Sequence, residues 1–126
     1  MKPPPLLVHV AVFIGAALIA AYASAAEEGG APRAGSPRYR ELVHIVRQDC
    51  GSCHGLTLAG GLGPALTPGA LAGKPADSLV ATIVGGRPGT PMPPFVGIVS
   101  EAEAGWIVDQ LMRGFPADGG AGAPAH

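Results

Sequence analysis

Both cysteines of the chain lie in one pentapeptide, Cys50-Gly51-Ser52-Cys53-His54. This spacing constrains the fold more than any other feature. It sets two thiols about one helical turn apart, with an imidazole directly after the second. C-x-x-C-H is the attachment sequence for c-type haem, in which each thiol adds to a vinyl group and the next residue ligates the iron. Three other uses of the pair fit less well. A thioredoxin-like redox site comes with a βαβ pattern, and this chain carries no strand signal. Half of a zinc site would need further ligands, yet there are no more cysteines and only His44 stands nearby. A disulfide across so short a loop would gain little entropy.

A bulky covalent group also answers a problem of composition. Gly 20 and Pro 14 together make 34 of 126 residues, and the aromatics are only Phe 3, Tyr 2 and Trp 1. A short chain with few large apolar side chains struggles to build a self-sufficient core and usually needs a staple. Charged residues are 13% and the formal net charge is −1. No basic face exists to grip a phosphate backbone, which excludes nucleic-acid binding. The near-neutral surface names no docking partner by its charge, and a monomer is expected.

Residues 1–25 read as an address. Lys2 forms a minimal basic start, Leu6 to Ala21 is apolar apart from His9, and Ala23-Ser24-Ala25 is a small-residue cleavage site. This is the pattern of a secretory signal peptide. The rival reading is an uncleaved anchor, since Leu6 to Ala26 would just cross a bilayer. Loss of residues 1–25 removes Lys2 and leaves 7 basic and 9 acidic residues, a net charge of −2. Residues 26–35 read as a flexible linker, and residues 114–126, rich in Gly, Ala and Pro, as a disordered tail with His126 exposed at its tip. The folded domain is expected over residues 36–113.

Within that domain the signals are helical. Ser36-Pro37 is a helix start, with Ser as N-cap and Pro at the first position. Tyr39, Leu42, Val43 and Val46 follow at helical spacing up to the first cysteine. Residues 55–75 are broken by Gly at 55, 60, 61, 63, 69 and 73 and by Pro at 64, 68 and 75, which predicts a long loop. Such a loop is unusual in a compact domain unless it wraps something. A short helix is expected from about Asp77, with Leu79, Val80, Ile83 and Val84 on one face and Gly85-Gly86 closing it. Ser100-Glu101-Ala102-Glu103 is a capping box opening a helix to about Arg113. Trp106, Ile107, Leu111 and either Ala102 or Ala104 should face inward. The fold class is all-α: about three helices and long Gly/Pro-rich loops around one covalent haem.

The second axial ligand has four candidates: Met92, Met112, His44 and Lys74. Met92 stands in Pro91-Met92-Pro93-Pro94, a rigid loop where no helix face would use it as filler. Met112 reads as an adaptable core residue, and His44 as exposed or hydrogen-bonded. Met92 is the favoured ligand. The free ring nitrogen of His54 needs a tether, usually a backbone carbonyl, and Gly63-Pro64-Ala65-Leu66 offers one at Pro64. Gly61-Leu62-Gly63 is no nucleotide loop, because no strand precedes it. Lys74 and Arg87 are either propionate partners or plain surface residues.

These parts resemble a family. Class I c-type cytochromes show an N-terminal helix, C-x-x-C-H, a Gly-Pro-x-Leu loop, a methionine in a Pro-rich loop and a closing helix, in the order seen across residues 36–113. The stretches CGSCHGLTLAGGLGPALTP, LAGKPADSLVATIVGGRPGTPMPPF and SEAEAGWIVDQL are similar to small monohaem cytochromes of the c55X type. The same stretch looks like the cytochrome portion of a larger protein of the haem-d1 pathway. Phe95 departs from the family pattern, which has Trp after the two prolines. The resemblance implies thioether attachment at Cys50 and Cys53, with His54 and Met92 on the iron. It also implies a periplasmic electron carrier in denitrification, serving cytochrome cd1 nitrite reductase or haem-d1 maturation. The alternative is a haem protein that releases the Met ligand and binds a small molecule, as a peroxidase or gas sensor does. No distal His, Arg or Tyr is evident to assist bond cleavage, which disfavours that role.

Overall fold

A computed structural model gives the fold and describes residues 30–116. The signal segment 1–25, linker residues 26–29 and tail residues 117–126, with His126, lie outside the described residues. Helix α1 spans Pro37–Ile45, followed by a π-helical segment Val46–Cys50 and by α2, Gly51–His54. The expected first helix therefore does not stop at Cys50 but carries the chain through to His54. Beyond it come α3 (Pro68–Leu71), α4 (Ala76–Gly85) and α5 (Glu101–Arg113), with no strand among the described residues. An isolated bridge joins Val96 and Val99.

The helix starts follow from their caps. The Ser36 hydroxyl accepts the Tyr39 N–H at 3.1 Å. Ser100 and Glu103 exchange both capping-box bonds, at 3.2 and 2.8 Å. The single-turn α3 corrects the reading of residues 55–75 as unbroken loop. Thr67 caps it from Oγ1 to the Ala70 N–H at 3.4 Å, and Pro68 holds its first position. Thr67-Pro68 repeats the chemistry of Ser36-Pro37, so the signal was present but surrounded by glycine.

The core joins the first helical run to the last. Leu42, Ile45 and Val46 pack with Leu58, Leu71, Val99, Ala104, Ile107 and Leu111. On α5, Ala104 faces inward while Ala102 is exposed, and Val108 is buried as well. Leu58 reaches this core at φ +61, a left-handed conformation that a leucine adopts only where burial offsets the strain. Tyr39 meets Trp106 edge-on with ring centroids 5.3 Å apart, and Trp106 meets Phe115 at 6.2 Å. Arg47 lies over the Phe115 ring and donates to the Phe115 and Pro116 carbonyls. Gly114 to Pro116, assigned to the loose tail by composition, are thus docked: Phe115 supplies the apolar weight that Gly and Ala lack.

One ion pair fastens the ends of the domain. Arg38 holds both carboxylate oxygens of Glu103 at 2.6 and 2.9 Å and donates to the Ile98 carbonyl at 2.8 Å. The guanidinium holds the Glu103 carboxyl down at about 2, against an ordinary value of 4.5. A depressed carboxyl contributes stability that is complete above its unfolded pKa and is lost as pH falls through the folded one. The domain should therefore lose about 1–2 kcal/mol between roughly pH 5 and pH 2, since Arg38 is one-third exposed and solvent screens the pair. Glu103→Gln should lower stability at neutral pH and flatten that part of the acid profile. Chemical denaturation of both proteins at several pH values measures it.

Candidate haem site

Helix geometry places the two thiols. Cys50 ends the π segment and Cys53 lies in α2, with His54 its last residue. Both cysteines are free and half-buried. Burial, and then the neighbouring Asp49 carboxylate, push the Cys50 thiol up to about 11.

The following loop folds back over the end of α2 and satisfies its orphan carbonyls. Gly60 N–H donates to the His54 carbonyl and Gly63 N–H to the Cys53 carbonyl, both at 2.8 Å. This return brings the Pro64 carbonyl to 2.6 Å from His54 Nδ1. A carbonyl only accepts, so Nδ1 carries the proton and Nε2 presents its lone pair for a metal. The turn needs a residue without a side chain at 63. A Cβ there would lie 2.8 Å from His54 Cε1 and 2.9 Å from Nδ1.

Met92 is half-buried, in the loop between α4 and α5. Phe95 N–H bonds the Ile83 carbonyl at 3.0 Å and Val96 N–H the Val84 carbonyl at 3.1 Å, tying this loop to the last turn of α4. Phe95 itself is half-buried against the core. Met112 packs on the core, whereas His44, Lys74 and Arg87 are exposed. Sequence reasoning missed Gly86, where a Cβ would stand 2.7 Å from the Pro93 carbonyl carbon and 2.8 Å from the Met92 oxygen. Gly85-Gly86 was legible only as a helix stop.

The residues fit a haem. Leu79, Val80, Ile83 and Val84 make α4 strongly apolar, yet no residue of α4 is buried. These side chains rest on the core with one side and leave the other open, the kind of surface a porphyrin covers. Cys50 and Cys53 are the residues to hold one covalent haem c, with the oriented imidazole of His54 directly after them.

Comparison with known proteins agrees. A family model described as cytochrome C oxidase, cbb3-type, subunit III matches residues 37–111. Cytochrome c55X of Pseudomonas aeruginosa is 65% identical over 77 residues, 61% of this chain and 65% of that protein, so the match spans slightly under two thirds of the relative's length. Cytochrome c55X of Paracoccus denitrificans is 48% identical over 87 residues, 67% of this chain and 84% of that one. A solved c-type cytochrome NirC superposes with a TM-score of 0.61 at 62% identity, covering 63% of this chain and 93% of its own. A dihydro-heme d1 dehydrogenase of Pseudomonas aeruginosa is 40% identical over 73 residues, 57% of this chain but 15% of that protein. The chain therefore belongs to the cytochrome c55X family, small all-α class I c-type cytochromes with one covalently bound haem c.

Proposed function

We propose that the protein is an exported, periplasmic one-electron carrier of denitrification. In this reading residues 1–25 are the signal peptide, residues 36–113 the working domain, and the partner is cytochrome cd1 nitrite reductase or a haem-d1 maturation protein. Cys50 and Cys53 hold the haem, and His54 Nε2 and the Met92 thioether are its axial ligands. The observation that carries the reading is the 2.6 Å contact between His54 Nδ1 and the Pro64 carbonyl, which fixes one ligand before any electron arrives. On the other side Pro91, Pro93 and Pro94 stiffen the segment that bears Met92. When bound, the haem supplies a one-electron couple between ferric and ferrous iron. Two ligands held by the fold in both states keep reorganisation small, which suits rapid transfer across a small, transient interface.

Among the described residues no group of three or more His, Cys, Asp or Glu is placed to hold a further metal ion. Also among them, no helix is long and apolar enough to cross a membrane. The likeness to a dihydro-heme d1 dehydrogenase supports a partner in the nitrite reductase system.

Deletion of the gene tests the assignment. Slowed nitrite reduction with intact d1 haem makes the protein a donor to the reductase, and missing or altered d1 haem makes it a maturation carrier. Normal nitrite reduction with normal d1 haem contradicts both.

A further inference from the structure

The Met92 segment is held by a ring of hydrogen bonds. Arg87-Pro88-Gly89-Thr90 forms a type II turn, with Gly89 at φ +78 and the Thr90 N–H donating to the Arg87 carbonyl at 3.0 Å. The Thr90 hydroxyl donates to that same carbonyl at 2.8 Å and accepts the Met92 N–H at 3.3 Å. Arg87 N–H then returns to the Met92 carbonyl at 3.2 Å. Pro91, Pro93 and Pro94 have no N–H, so Met92 supplies the one amide donor across residues 91–94, and Thr90 is its acceptor. The ring sits against Gly86 at φ +67, where any side chain would collide with the Met92 and Pro93 backbone.

We propose that Thr90 is a positioning residue for the axial methionine: through the Met92 amide it sets how firmly the thioether is held on the iron against external ligands. This rests on Met92 being the sixth ligand. Both backbone groups of Met92 are engaged in one ring, so the side chain leaves a fixed anchor. Without the hydroxyl the Met92 N–H has no acceptor in the ring, and the anchor loosens toward conformations in which the thioether is off the iron.

The test is imidazole titration of the ferric holoprotein for wild type, Thr90→Val and Thr90→Ser, with chemical denaturation of each. Thr90→Val should bind imidazole about fivefold more tightly, the factor that about 1 kcal/mol represents. Thr90→Ser, which keeps the hydroxyl, should stay within about twofold of wild type on the same scale. A purely structural role would lower the denaturation midpoint of Thr90→Val and leave its imidazole affinity at the wild-type value. That result, or equal changes in Val and Ser variants, overturns the proposal while Met92 ligation stands. A wild-type protein that lacks the methionine-to-ferric charge-transfer band and binds imidazole as an open site does overturns Met92 ligation and the proposal together.

Discussion

Met92→Ala should convert a ferrous protein indifferent to carbon monoxide into one that binds it stoichiometrically. The thioether leaves from a half-buried loop position outside the core cluster, so the fold loses little with it. The expected change in stability is that of a surface substitution, within about 1 kcal/mol. The reduction potential should fall, because thioether ligation favours the ferrous state. Met112→Ala is the informative contrast. Met112 is packed against the core, so its loss should lower stability by about 1–2 kcal/mol and leave the spectrum and carbon monoxide response unchanged. Titration of ferrous protein with carbon monoxide, read beside a denaturation curve, separates ligand from filler.

Gly63→Ala should damage the other side of the haem. A methyl group at 63 meets the His54 ring at 2.8 Å, well inside van der Waals contact. The backbone has little freedom to retreat, since Gly63 N–H is bonded to the Cys53 carbonyl and its own carbonyl accepts the Gly61 N–H at 3.0 Å. Either the imidazole rotates or the loop lifts, and each outcome breaks the bond from Nδ1 to the Pro64 carbonyl. Loss of a partner of this kind costs about 10- to 100-fold in metal affinity or activity. With thioethers still holding the group, the cost should appear as a shifted potential, a broadened spectrum and carbon monoxide binding in a protein whose Met92 is intact. A spectrum identical to wild type would mean that the loop yields and the tether is dispensable.

The parts of the candidate site were legible in the sequence because each is local. C-x-x-C-H, a carbonyl ten residues after His54 and a methionine between prolines each declare themselves within a short window. The caps at Ser36 and Ser100 were legible for the same reason, since a side chain three residues from its donor needs no tertiary information. What stayed hidden depends on residues far apart in the chain. Arg38 finds Glu103 across 65 positions, and Arg47 finds the Phe115 carbonyl across 68. No periodicity announces such pairs. Phe115 was lost in a segment whose average composition is that of a loose tail, although one aromatic ring against Trp106 suffices to dock it. Gly63 and Gly86 looked like generic breakers of regular structure. Only the fold shows that one faces an imidazole and the other the backbone of Met92 and Pro93.

The central claim is a haem closed on both sides by His54 and Met92 and built to carry electrons. Its most direct test is the visible spectrum of the native protein from the periplasm, oxidised, reduced, and reduced under carbon monoxide. Sharp c-type bands, a methionine-to-ferric-iron charge-transfer band and no shift under carbon monoxide are the expected result. A carbon monoxide shift in the native protein would contradict it and make this a haem that binds small molecules.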